Sequence, residues 1–169
     1  MKKNNKDSIK AKSTALDFLV KCEEITIFTT GVFITFAIFI QVVLRYVFST
    51  TLFGLEEIAL LVVSWFYFTG AAYSVYSKSY IKADILSLIV KSPRIRKLFN
   101  IVSLILSTVA TLLLFFYGLK YATWSNRAHV VTPHFLMSVN FGFGALVVGS
   151  LLMSLHFALL VQEEIKRKI

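Results

Sequence analysis

Four stretches of this chain, residues 25–44, 58–77, 98–119 and 135–155, contain no Asp, Glu, Lys, Arg or His, and each is 20 to 22 residues long. At about 1.5 Å rise per residue, each is long enough to cross a hydrocarbon layer about 30 Å thick as a helix. Both prolines, Pro93 and Pro133, fall between these stretches, so no span carries a proline kink. With 57% of its 169 residues hydrophobic and a mean hydropathy of +0.74, the chain is far more apolar than a soluble domain. The expected fold class is an all-α integral membrane protein: a single four-helix membrane domain over residues 1–169, without internal repeat or linker.

The net charge of +9 does not point to nucleic acid, because the basic residues follow the membrane rather than forming a binding face. Of the 18 Lys and Arg residues, 15 fall in segments 1–24, 78–97 and 163–169, leaving Arg45, Lys120 and Arg127 on the opposite side. The positive-inside rule then places both termini and the central loop in the cytoplasm. The first apolar run is too long for a signal-peptide core and no small-residue cleavage pattern follows it, so it reads as a retained anchor. The single cysteine, Cys22, excludes an intrachain disulfide and a CxxC redox pair.

Outside the spans, residues 1–12 are polar and lysine-rich and are expected to be disordered. The stretch STALDFLVKCEE that follows puts Leu16, Leu19, Val20 and Glu23 at helical spacing; it reads either as a short interfacial helix or as a plain extension of span one. In the central loop, YIKADILSLIV places Ile81, Ile85, Leu88 and Ile89 on one helical face, a short interfacial amphipathic helix. The basic cluster KSPRIRK after it reads as a topology determinant that also attracts anionic lipid.

A transporter that works alone keeps ionisable groups or broken helices near the bilayer midplane, and the four spans contain neither. Gln41 and, on span three, Asn100, Ser103, Ser107, Thr108 and Thr111 are the polar residues available, and they read as hydrogen-bonding between helices. The histidines are badly placed to pair on one haem, with His129 and His134 in the outer loop and His156 at the inner end of span four. Metal-ligand clusters, phosphate-binding glycine loops and nucleophile elbows are missing, so no catalytic, substrate-binding or metal-binding residues, no cofactor and no enzyme activity are expected. Helix contact is better represented: Ala145 and Gly149 stand at small-xxx-small spacing in span four, and Gly70, Ala71 and Ser74 are small residues of span two.

The most informative stretch is RYVFSTTLFGLEEIALLVVSW, from Arg45 onward. Arg45, Glu56 and Glu57 belong at the outer interface, where they form either a solvated ion pair worth about 0 to 1 kcal/mol or a charged and aromatic platform for a periplasmic partner. Trp65 lies eight residues beyond Glu57, about 12 Å deeper along a helix, and its indole N–H needs an acceptor that lipid tails lack. It is therefore expected in a helix–helix contact.

Taken in order, RYVF, then EE eleven residues on from Arg45, then WFYFTGAA, then YIKADIL, resembles the small membrane subunit of the TRAP (tripartite ATP-independent periplasmic) transporters. The resemblance covers nearly the whole chain and includes the Thr132–Pro133 step before span four; Tyr80 and Ala83 depart from the His and Val expected of the cytoplasmic motif. It implies a bacterial inner-membrane location and two protein partners besides the lipid bilayer: an obligate large membrane subunit, which moves an organic acid by a sodium-driven elevator motion, and a periplasmic solute-binding protein. The small subunit would carry no substrate or sodium site. Arg45, Glu56 and Glu57 would orient the outer loop, with Arg127 as a further candidate contact to the binding protein. Trp65, Gly70, Ala71, Ala145 and Gly149 would pack helices or subunits, and Asp84 would fix the cytoplasmic turn. The wording of the chain is similar to the sialic-acid branch. The alternative is a self-contained, homo-oligomeric four-helix transporter or channel, for which a membrane-embedded carboxylate would be needed; Glu23 and Glu24 sit at the cytoplasmic edge.

Overall fold

An apolar run without proline has one way to satisfy its backbone in lipid, and all four runs take it as helices. In the computed structural model these are α1 (Lys2–Tyr46), α2 (Leu55–Tyr76), α3 (Pro93–Arg127) and α4 (Asn140–Lys166). All four are long and apolar enough to cross a membrane, so the chain is an all-α, four-span membrane protein. The structure describes residues 2–50, 54–79 and 93–166; the expected interfacial helix at 81–89, and Asp84 with it, lie outside them.

α1, α2 and α3 begin before their charge-free runs, and α1, α3 and α4 end after theirs, but α4 starts only at Asn140, so residues 135–139 of the expected fourth span belong to the loop before it. No Gly or Pro interrupts the chain before Gly31, and α1 is continuous from Lys2. The leader expected to be disordered is therefore helical, and the segment around Leu16–Glu23 is an extension of the first helix rather than a separate interfacial one. Val20 and Glu23 of this extension are buried and Lys21, Cys22 and Glu24 are exposed, so the first turns of the span already have an inner face.

The helices pack in the order α1, α2, α4, α3. The ends of the row face outward: only 6% of the apolar window of α1 and of α3 is buried, against 39% of that of α4. Lipid tails are as apolar as leucine, so burial alone does not join helices in a membrane; close approach of small residues does. The α2–α4 seam is built in this way. A Cβ at Gly142 would touch Leu61 at 3.3 Å, Ala145 is fully buried, and a Cβ at Gly149 would stand 2.5 Å from Phe68 Cβ and 2.8 Å from the Phe68 carbonyl oxygen. On the other side of α4, Gly118 of α3 receives Leu146 and Val147. Near the chain termini, Val75, Leu104 and Phe157 bring α2, α3 and α4 together, with Met153, Leu160 and Val161 around them.

The span hydroxyls turn inward on their own helices. Thr26 donates to the Cys22 carbonyl at 2.8 Å, Thr35 to Gly31 at 2.8 Å, Thr108 to Leu104 at 2.8 Å and Thr111 to Ser107 at 3.0 Å. This corrects the expectation that Thr108 and Thr111 bond between helices. The i−4 carbonyl is always within reach in a helix, and it satisfies the hydroxyl without a neighbour.

Candidate functional site

At the end of the bundle opposite the termini, the connection after α3 is folded onto the start of α2. Residues 128–139 double back on themselves through an antiparallel bridge between Val131 and Ser138. The Thr132 N–H donates to the Met137 carbonyl at 2.9 Å, and the Met137 N–H donates to Thr132 Oγ1 at 3.1 Å. Thr132 is buried, so the Thr–Pro step is the internal strut of this loop. Reversals at His129 and Leu136 are reached with φ of +49° and +52°, in the left-handed region that non-glycine residues enter only under constraint.

The loop is held by Glu57. Its carboxylate accepts the His134 N–H at 3.0 Å and the Phe135 N–H at 3.3 Å, across 77 and 78 positions of sequence. Beside it, the Phe135 ring lies over Gly54, where a Cβ would fall 2.3 Å from the ring. Gly54 also has φ +95°, so position 54 demands glycine twice, for its backbone and for the ring above it. Glu56 is exposed and points the other way, accepting a hydrogen bond from the Gln41 side chain of α1. The adjacent carboxylates thus tie α2 to two different neighbours, α1 through Glu56 and the α3–α4 loop through Glu57.

Arg45 takes no part in this. Its guanidinium lies 6.0 Å from the Tyr46 ring centroid, and among the described residues no ion pair joins it to Glu56 or Glu57. Of the two readings of this stretch, the Arg–Glu ion pair is therefore not the one formed among the described residues: the glutamates are engaged by Gln41 and by backbone N–H groups. Arg127 is exposed at the last turn of α3, next to Asn126, whose side-chain oxygen accepts from Asn140 at 3.4 Å. At this end of the bundle, Tyr46, Val47 and Phe48 at the end of α1 and Phe135 and Leu136 of the loop that Glu57 holds are all more than half exposed, an apolar and aromatic rim.

Among the residues expected to pack helices, Trp65 donates its indole N–H to the Phe141 carbonyl at 3.1 Å and packs on the Phe141 ring, 5.6 Å between centroids. Phe141 is in the first turn of α4, where Trp65 meets Gly144 as well. Trp65, Ala145 and Gly149 thus share the α2–α4 seam. Ala71 is half-buried. Gly70 is not on the seam: a Cβ there would meet nothing within 4 Å, so no close helix approach within this chain depends on it.

The sequence reading missed a polar cluster at the termini end. Glu23 of α1 and His156 of α4 are 2% and 3% exposed, with Glu23 Oε1 3.8 Å from His156 Nε2. His156 Nδ1 is 3.0 Å from the Ala72 carbonyl of α2, and Tyr76 packs on the imidazole. Next to it, Tyr73 donates to Glu24 at 3.0 Å, and Lys78 pairs with Glu163 at 2.7 Å. Periodicity carried past the charge-free runs would have found it, because His156 stands seven residues beyond Gly149 on the seam face. His129 and His134 lie at the opposite end of the bundle. Among the described residues no cluster of three or more His, Cys, Asp or Glu side chains could hold a metal ion.

A search of curated proteins gives no match. A family model does match, over residues 34–167, described as "Tripartite ATP-independent periplasmic transporters, DctQ component". The matched segment includes Gln41, Glu56, Glu57, Trp65 and the whole loop that Glu57 holds, as well as all of α2, α3 and α4. The chain accordingly belongs to the DctQ family, a membrane component of the tripartite ATP-independent periplasmic transporters.

Proposed function

We propose that the chain is the small accessory permease subunit of a sodium-driven, binding-protein-dependent TRAP transporter for an organic acid, sialic acid or a related carboxylate. It sits in the bacterial inner membrane with both termini cytoplasmic, as the placing of 15 of the 18 basic residues favours. The loop held by Glu57 then lies on the periplasmic side.

The observation that carries this reading is the fastening of the α3–α4 loop to α2 by Glu57, which holds the Phe135 and Leu136 part of the exposed rim. A rim of this kind suits docking of a loaded solute-binding protein, because ordering entropy has already been lost before the partner arrives. The apolar outer faces of α1 and α3 suit contact with the scaffold of a large membrane subunit. Spans without midplane charge agree with a subunit that moves no substrate itself.

Sodium-dependent uptake in proteoliposomes tests the reading directly. Large subunit and binding protein should transport only when this chain is added; full uptake without it would remove its essential role. The self-contained reading draws on Glu23, a carboxylate buried in the bundle. Native mass of the gently extracted protein separates the two: a stoichiometric complex with a large membrane protein supports the accessory subunit, and a homo-oligomer alone supports the self-contained transporter.

A further inference from the structure

Glu23 is buried at the junction of three helices and neither of its carboxylate oxygens has a hydrogen-bond partner. Its neighbour across the junction, His156, has a fixed orientation. A carbonyl can only accept, so the nitrogen beside the Ala72 carbonyl, Nδ1, carries a hydrogen. In the neutral ring this leaves Nε2 as a bare acceptor, and Nε2 is the atom turned toward Glu23 Oε1.

Two acceptors 3.8 Å apart in a buried site make the number of protons on the pair decide its net charge. With none, the site holds a lone carboxylate; with two, a lone imidazolium; either is a net charge withdrawn from water. With one, the site is neutral in both of its forms: carboxylic acid beside imidazole, or carboxylate beside imidazolium. The other titratable groups near the site are Glu24, Tyr73, Tyr76, Lys78, Glu163 and, in the cavity wall beside His156, Lys166. On α1, Glu24 accepts from Tyr73 of α2; Lys78, just past α2, is paired with Glu163 of α4; Tyr76 packs its ring on His156. None of them supplies a counter-charge to Glu23.

The site also has an approach from outside the bundle. A cavity of about 440 Å³ opens at the termini end and is lined by Leu16, Tyr76, Lys78, His156, Glu163 and Lys166, among others. His156 forms part of its wall and Glu23 does not.

We propose that Glu23 and His156 form a proton-binding site that holds one shared proton, and that this proton latches the first turns of the α1 span onto α2 and α4. Loss of the proton leaves a buried carboxylate facing an acceptor, and the termini end of α1 loosens. Glu23 precedes residues 34–167, so the inference does not rest on the family match; it concerns contacts within this chain and stands apart from the accessory-subunit reading.

The full chain in nanodiscs, labelled with ¹⁵N-histidine, gives the proton count. Nitrogen shifts of His156, assigned by its loss in His156→Gln, are combined with the infrared carboxyl band assigned by its loss in Glu23→Gln. One proton on the pair at neutral pH is expected, and it should leave as pH rises. Cys22 is exposed on the next position of α1 and takes a spin label without a new cysteine. The label should become more mobile at alkaline pH in the parental chain and stay restrained in Glu23→Gln, whose uncharged amide can donate toward the unprotonated Nε2 throughout the alkaline range. Finding Glu23 ionised with His156 neutral at neutral pH, or both protonated, overturns the shared proton. An equal pH response of the label in Glu23→Gln overturns the latch. Where either variant does not fold, His129→Gln and His134→Gln assign His156 by elimination among the three histidines, and Glu23→Asp assigns the carboxyl band by its shift.

Discussion

Gly149 and Gly70 offer a matched pair of substitutions whose effects should have opposite signs. An alanine at Gly149 would place its Cβ 2.5 Å from Phe68 Cβ and 2.8 Å from the Phe68 carbonyl oxygen. Carbon atoms in contact lie about 3.5 to 4.0 Å apart, so α2 and α4 must part by about 1 Å at this level. Because part of the obstacle is backbone, no rotamer change relieves it. Overpacking of this kind costs about 1 to 3 kcal/mol. Alanine's better helix propensity returns up to about 1 kcal/mol, leaving Gly149→Ala less stable by about 1 kcal/mol. At Gly70 a Cβ meets nothing within 4 Å, so Gly70→Ala keeps the propensity gain alone. The two variants should therefore differ by about 2 kcal/mol, close to thirtyfold in the unfolding constant. Reversible unfolding of the isolated chain in bicelles, by steric trapping or SDS titration, reads this difference. Equal shifts for the two variants would refute the assignment of Gly149 to the seam.

Trp65→Phe removes the bond to the Phe141 carbonyl while keeping an aromatic ring, and should cost about 0.5 to 2 kcal/mol in the same unfolding assay. Gly54→Ala must adopt φ +95° and displace the Phe135 ring; a loss of at least about 1 to 3 kcal/mol is expected, with faster proteolysis of the 128–139 loop as the local readout. Glu56→Gln combined with Glu57→Gln should lower uptake by the assembled transporter severalfold without changing membrane insertion, since Glu57→Gln turns one acceptor of the loop N–H groups into a donor; an undiminished rate would remove these carboxylates from the docking account. Thr108→Val with Thr111→Val should stay within about 0.5 kcal/mol of the parent, because both hydroxyls serve only their own helix.

How much of this was legible in the sequence depends on the range of each interaction. The four spans were, because hydrophobic thickness is a local property of about twenty residues. Their ends were not: hydropathy marks where the membrane stops, whereas α1 continues to Lys2 because nothing in its composition ends a helix there. Trp65 carried its own signal, an N–H at a depth where lipid offers no acceptor, although which carbonyl receives it depends on α4. Glu57 is the opposite case. Its position at the start of α2 looks like an ordinary first-turn acid, and its partners are backbone groups of His134 and Phe135, which no residue pattern advertises. Glu23 and His156 were each visible as residues at the edge of a span. Only the junction at which α1 and α4 both meet α2 makes them a pair, and that junction is not a property of either helix alone.

The attachments of α2 are spread over its whole length. At one end Glu57 grips the loop before α4, midway Gly149 is seated on the Phe68 backbone, and at the other end the Ala72 carbonyl meets His156. A beam fastened to its neighbour at three heights can neither slide nor pivot on it without breaking one of the fastenings. The α2–α4 pair is thus fastened as one unit from the loop end of the bundle to the termini end.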